Sequence, residues 1–149
     1  MIAIVQRVKN ARVIINHFVT GEIGVGITAL VAVHSDDTAA DIAWMAAKLA
    51  TLRIFPDPAG EKYFDRDVKT IGGGILLVSN FTVAAETHSG RRPSLSPAAS
   101  PAAAEPLFNA LLQAVKDQGV PVATGQFGAD MLVEIANDGP VTFILNSRH

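Results

Sequence analysis

Residues 2–8 alternate, with Ile2, Ile4, Gln6 and Val8 facing one side and Ala3, Val5 and Arg7 the other. That is the period of a strand. Val13-Ile14-Ile15 resumes it after Asn10-Ala11-Arg12, and residues 17–20 lead into Gly21-Glu22-Ile23-Gly24, which predicts a hairpin. Ile27 to Val33 is a continuous apolar run of strand length, the pattern of a buried strand. Asp36-Asp37-Thr38 then starts a helix, and Ile42, Met45, Leu49 and Leu52 recur at spacings of three and four. The spacing predicts an amphipathic helix of about four turns. Arg53-Ile54-Phe55 reads as a short strand and Pro56-Asp57-Pro58-Ala59-Gly60 as a loop. Gly72-Gly73-Gly74 leads into Ile75-Leu76-Leu77-Val78, a second buried strand that runs on into Ser79-Asn80-Phe81-Thr82-Val83.

From Ala84 to Pro101 the chain is small, polar and proline-rich, and long irregular connections of this kind are often functional. A second helix is predicted over roughly 102–118, stopped by Gly119 with Pro121 beyond. Pro106 fits it if the regular helix begins near Glu105; otherwise the first turns are bent. Val122 opens a short strand, and residues 125–130 link it to a final pair of strands. Their apolar runs, 131–135 and 141–145, flank Asn137-Asp138-Gly139-Pro140. This is dense turn chemistry, because Gly139 tolerates positive φ and Pro140 fixes its own φ and donates nothing. Composition favours a loop between two strands. The sharper reading is a rigid Gly-Pro backbone presented as a tool.

The order is mostly β with two helices between strands, and the all-parallel alternation is missing. The expectation is one mixed α/β domain over residues 1–149, with curved, mostly antiparallel sheets or a β-barrel-like core and two main helices packed outside. The 149 residues are 49% hydrophobic and 17% charged, which excludes a disordered chain. With no cysteine there is no disulfide scaffold and no thiolate chemistry. No apolar run approaches the ~18 residues of a membrane span, and Met1-Ile2-Ala3-Ile4-Val5-Gln6-Arg7 lacks the features of a signal peptide; a cytoplasmic protein is expected. A net charge of −2 argues against coating a long nucleic-acid backbone but not against handling the end of an RNA.

Histidines 17, 34, 88 and 149 show no metal-ligand spacing, and each reads as a solvated surface residue. The triple glycine precedes a strand, whereas a phosphate cradle needs a helix N-terminus. Asp36-Asp37 and Asp65-Asp67 are most simply a helix start and a loop. Ser79 and Thr82 lie at the end of a buried strand, where functional groups often project. No Gly-x-Ser-x-Gly elbow surrounds Ser79, and His88 is the nearest histidine in sequence that could act as a base. The alternative is that both hydroxyls satisfy backbone groups at the strand end. Arg91-Arg92 is either a solvated pair or a phosphate clamp.

Several segments appear in order: Ile4-Val5-Gln6-Arg7-Val8, Gly21-Glu22-Ile23-Gly24, Leu52-Arg53-Ile54-Phe55, Ser79-Asn80-Phe81-Thr82, Gly90-Arg91-Arg92-Pro93-Ser94, Thr124-Gly125-Gln126-Phe127-Gly128-Ala129-Asp130-Met131 and Asn137-Asp138-Gly139-Pro140-Val141-Thr142. Together they resemble the bacterial D-aminoacyl-tRNA deacylases of the D-tyrosyl-tRNA deacylase type, over essentially the whole chain. The resemblance implies a metal-free, cofactor-free hydrolase of the ester between a D-amino acid and the 3′-terminal ribose of tRNA, a chiral proofreading activity. It implies a homodimer in which the Gly-cis-Pro loop, here Gly139-Pro140, enters the partner's active site. The family's Ser-Gln-x-Thr motif maps onto Ser79, Asn80, Phe81 and Thr82 as the catalytic segment. This chain departs from it at Asn80, whose amide is one methylene shorter than the family's Gln.

The resemblance also implies that Arg7 braces the Gly-Pro loop. Phe127 and Met131 would line the pocket of the terminal adenine, plain core packing being the alternative for both. An aminoacyl ester is already activated, so its hydrolysis needs placement and a stabilised oxyanion more than a strong nucleophile. Backbone N–H groups of Phe81 and Thr82 are candidate oxyanion donors, and the family reading adds help from the ribose 2′-hydroxyl. Sparing the L ester by ~10³ to 10⁴ needs roughly 4–5.5 kcal/mol, beyond the ~0.5–1.5 kcal/mol of one neutral hydrogen bond. A rigid backbone wall that excludes the L side chain suits that demand, and it leaves glycyl-tRNA open to hydrolysis. Two other readings stay open: a serine esterase using Ser79 and His88, and a non-enzymatic tRNA-binding module.

Overall fold

The computed structural model describes residues 1–148. Its frame is a pair of long antiparallel strands, β1 (Ile2–Ile15) and β6 (Leu132–Asn146). β1 also pairs antiparallel with β2 (Phe18–Ile23) and β3 (Gly26–Ala32). β3 continues in parallel to β4 (Gly74–Ser79) and β4 to β5 (Val122–Thr124), so the six strands form one mixed sheet. The sheet curls until β2 approaches β5, where a Cβ on Gly21 would lie 2.3 Å from the Thr124 carbonyl oxygen. Only a glycine admits that near-closure of the barrel.

Helix α1 (Ala39–Thr51) and helix α2 (Pro101–Asp117) pack against each other over one face of the sheet. Met45 and Leu49 meet Leu111 and Val115 above Ala29, Val31, Ile75 and Leu77, all fully buried. The opposite face carries a smaller cluster, Val8, Ala11, Val13, Leu76 and Val78, flanked by half-buried Leu30, Met131, Val133 and Ile135. A bulge in β1 between Val8 and Ala11 moves the strand from one core to the other: Ala3 and Val5 point under the helices, Ala11 and Val13 into the smaller cluster.

Five local expectations change. β6 is one strand where two were expected, and Asn137–Pro140 is a bulge within it. From the pair Val8–Asn137 to the pair Gln6–Thr142, β1 advances two residues and β6 five. A bulge is where a sheet tolerates a proline. The hairpin turn is Asn16-His17, both at positive φ (49° and 69°), a two-residue turn joining β1 to β2; Gly21 lies inside β2. Ile54 and Phe55 build no strand, only a single bridge from Phe55 to Arg66. β4 stops at Ser79, and Phe81–Ala84 is a short 3₁₀ turn. Helix α2 runs through Pro106; Ala102, four residues back, loses one intrahelical donor on an exposed side.

His34 is half-buried and pairs with Ala98, and burial pushes its pKa down, unlike the solvated role expected for it. His17 and His88 are exposed, and His149 lies outside the described residues. Asp41, at the start of α1, accepts from the Thr38 N–H (2.8 Å), the Thr38 hydroxyl (2.8 Å) and the Ser147 hydroxyl (2.6 Å). The Ser147 hydroxyl, then the Thr38 N–H, hold its carboxyl far below the usual carboxylate range. A depressed native pKa stabilises the fold above the ordinary value and loses that effect as pH falls. Asp41→Asn is therefore expected to lower Tm by about 2–4 °C at pH 7. The gap to the native protein closes below about pH 4, as thermal melts across pH 2–7 will read.

Candidate functional site

The apolar run of β4 carries the chain out of the core and ends at Ser79, beside the end of the parallel strand β3. Ligands of parallel sheets gather at such strand ends. The Asn80 N–H still bonds the Val31 carbonyl (2.8 Å), and the chain then tightens into the 3₁₀ turn. Here a cleft of about 810 Å³ opens. Its lining includes Ser79, Asn80 and Phe81 from the end of β4, Phe127 and Met131 from the link before β6, and Leu30, Val78 and Val133 from the sheet. It is mostly apolar with few polar groups, as small-ligand sites are.

Asn80 caps the turn. Its Oδ1 accepts from the Thr82 hydroxyl (2.5 Å) and, more weakly, from the Thr82 N–H (3.3 Å), which suits an N-cap Asn. The Thr82 N–H is thus taken up locally. The Phe81 N–H stands first in the turn, where no intrahelical acceptor exists. Thr82 is exposed and does not line the cleft. Ser79 and His88 share no hydrogen bond, and His88 lies exposed in the 84–101 connection. Phe127 both lines the cleft and packs on Phe108, ring centroids 6.0 Å apart. Met131 sits against Gly125, where a Cβ would come within 2.5 Å of its Sδ.

The Gly139-Pro140 bulge lies elsewhere; neither residue lines that cleft. Its peptide bond is cis, as the resemblance implied, and both residues are exposed. Beneath it Arg7, only 4% exposed, fills the buried face of β1. Arg7 donates from Nη1 to the Ile54 carbonyl (2.8 Å) and from Nη2 to the Tyr63 hydroxyl (2.9 Å). Its Nε lies 3.1 Å from Asp138 Oδ2, an ion-pair contact without hydrogen-bond alignment. The Tyr63 ring lies 4.8 Å from the guanidinium carbon, a cation–π distance. Asn137 ties the bulge shut by donating from Nδ2 to the carbonyls of Arg7 (2.9 Å) and Val141 (3.0 Å).

Tyr63, Asn137 and Asp138 were not singled out as site residues from sequence. Asn137 and Asp138 carried only the signal of turn formers, and Tyr63 none. Among the described residues no three His, Asp or Glu side chains converge as a metal site, and no helix is long and apolar enough to cross a membrane.

The family model for D-Tyr-tRNA(Tyr) deacylase matches residues 4–146. A protein from Alkalilimnicola ehrlichii called D-aminoacyl-tRNA deacylase is 47% identical over 148 residues, covering 99% of this chain and 97% of that protein. One of the same name from Methylococcus capsulatus is 48% identical, covering 97% and 94%. The solved structure of a c-Myc DNA unwinding element binding protein superposes with a TM-score of 0.94 at 34% identity, over all of both chains. That of a probable eukaryotic D-amino acid tRNA deacylase gives a TM-score of 0.82 over 97% of each chain, and at 17% identity it supports the fold alone.

Proposed function

The chain belongs to the D-Tyr-tRNA(Tyr) deacylase family, and from that membership we propose that it hydrolyses the ester of D-aminoacyl-tRNA, releasing D-amino acid and tRNA and sparing the L-aminoacyl ester. The observation that carries the site assignment is the cleft at the end of β4, which Ser79, Asn80 and Phe81 line together with Phe127 and Met131. The terminal adenine stacks on Phe127 with Met131 in apolar contact, which brings the ester carbonyl to the Phe81 N–H. That N–H stabilises the developing oxyanion. The ribose 2′-hydroxyl assists, and water takes up the acyl group. Ser79 and Asn80 position the ester, and Thr82 acts through Asn80.

The wall that rejects the L side chain is Gly139-Pro140 of a second copy. Within one copy these residues stand outside the cleft and exposed, on a bulge braced from below. The working form is then a homodimer in the cytoplasm, each bulge entering the other's cleft. The carbonyls of Gly139 and Pro140 hold the substrate ammonium, so the D side chain points outward and the L side chain meets backbone.

The test is hydrolysis of D-tyrosyl-tRNA beside L-tyrosyl-tRNA, with enzyme far below substrate. Loss of the D ester alone supports the proposal. Loss of both removes the chiral wall, and loss of neither leaves a tRNA-binding module. Ser79→Ala separates the esterase alternative. Positioning by Ser79 predicts a fall in kcat/KM of no more than about tenfold, whereas loss of a covalent nucleophile brings about 10⁴-fold or more.

A further inference from the structure

The segment Gly90-Arg91-Arg92-Pro93-Ser94 has no part in the mechanism above, yet the fold puts it at the rim of the cleft. Phe81 and Leu95 both line the cleft. The chain between them closes into a narrow loop, its neck pinned by the Glu86 N–H on the Ser94 carbonyl and the Ser94 N–H on the Glu86 carbonyl, both 2.9 Å. Beyond the neck, the Ala99 N–H bonds the Val33 carbonyl (2.9 Å) and the Ser35 N–H the Pro97 carbonyl (3.3 Å), fastening the loop's base to the end of β3. Gly90, at φ 74°, turns the tip. Arg92 is three residues from Leu95, which lines the cleft, at most about 11 Å along the chain.

Neither Arg91 nor Arg92 has a hydrogen bond or ion pair with any described residue, and both are exposed. Arg7, Arg12 and Arg148, by contrast, each face a carboxylate. Two adjacent unpaired guanidinium groups on a pinned loop, beside a cleft of nucleoside size, suit bidentate recognition of phosphate.

We infer that Arg91 and Arg92 grip the sugar-phosphate backbone of the single-stranded 3′ end of the tRNA just before its terminal adenosine. This rests on the deacylase reading and adds the contact that holds the RNA. Phosphate contacts fix register and affinity without taking part in the chemistry. The arginines therefore act on KM and leave kcat alone.

The experiment compares the native protein with R91Q/R92Q and R91K/R92K on three probes: D-tyrosyl-tRNA, the D-tyrosyl ester of adenosine, and uncharged tRNA. For R91Q/R92Q, KM for D-tyrosyl-tRNA should rise about tenfold near 150 mM salt with kcat unchanged. The slope of log affinity for uncharged tRNA against log salt should shrink by about 1.4, two single-strand phosphates at about 0.7 each. The adenosine ester, which has no phosphate, should be hydrolysed as by the native protein, and R91K/R92K should recover most of the salt slope. An unchanged KM and salt slope overturn the inference, as does an equal loss on tRNA and adenosine ester. If the native protein hydrolyses neither ester the deacylase reading falls, while uncharged-tRNA binding still reads the arginines.

Discussion

Gly139→Ala is expected to lower kcat/KM for D-tyrosyl-tRNA about 100-fold and to narrow the ratio of D to L hydrolysis, with the fold intact. Gly139 has φ 126°, a region that side chains rarely enter. A Cβ there would sit 2.7 Å from Val141 Cγ2 and 3.0 Å from the Tyr63 hydroxyl. Val141 is buried and Tyr63 is held by Arg7, so the neighbours cannot yield freely. Strain of about 1–3 kcal/mol would be relieved by moving the bulge.

The bulge is exposed and carries three residues more than the strand opposite, so the movement stays local. A wall displaced by an ångström no longer excludes the L side chain, and discrimination worth roughly 4–5.5 kcal/mol for 10³ to 10⁴ depends on that exclusion. Kinetics on both esters, with a thermal melt as control, reads the result. Unchanged D kinetics and an unchanged D-to-L ratio would mean that Gly139 forms no part of the wall.

What the sequence made legible follows from how local each cause is. Helix α1 could be placed because its start at Asp36-Asp37-Thr38 and its stripe of Ile42, Met45, Leu49 and Leu52, each three or four residues from the next, are all local signals. β4 could be placed because its apolar run is buried on both faces. The cleft was partly legible: Ser79, Asn80, Phe81, Phe127 and Met131 line it together. Thr82 needed the hydrogen bond to Asn80 to show that it faces away.

The continuity of β6 could not be read, because Asn137–Pro140 has the chemistry of a loop and only pairing with a distant strand keeps it in the sheet. The Asn16-His17 turn was hidden for a related reason: positive φ at two residues that are not glycine is imposed by the flanking ladder. Arg7 is the instructive case. Its alternation with Ala3 and Val5 already put an arginine on a face the core buries. That it would meet Tyr63, Ile54 and Asp138 depends on contacts between residues 47 to 131 positions apart in the chain, which no window of sequence contains.

Those contacts make Arg7→Met the substitution with the largest expected effect on stability. Methionine keeps much of the buried volume and removes every polar interaction. The buried Ile54 carbonyl loses a donor, at about 1–3 kcal/mol for a buried group left unpaired, whereas Tyr63 is 53% exposed and water replaces the donor to its hydroxyl. Asp138 loses its main counter-charge. Breaking a buried ion pair costs about 3–5 kcal/mol, but the Asp138 side chain is 29% exposed and Lys9 lies 3.5 Å from its other oxygen, so water and Lys9 recover part of that. A net loss of about 2–4 kcal/mol follows, a fall in Tm of roughly 5–15 °C.

Activity should fall further than stability explains, because Arg7 braces the bulge through Tyr63 and Asp138. At temperatures where the variant is fully folded, D-tyrosyl-tRNA hydrolysis should still be at least about tenfold down. Adding Asp138→Asn removes the stranded charge and should restore part of the Tm, while the bulge, still unbraced, keeps activity low. If the double variant melts no higher than Arg7→Met, the ion pair contributes little and the loss lies in the hydrogen bonds to Ile54 and Tyr63. If activity returns together with Tm, Arg7 serves the fold alone, and the bulge needs no brace to meet its substrate.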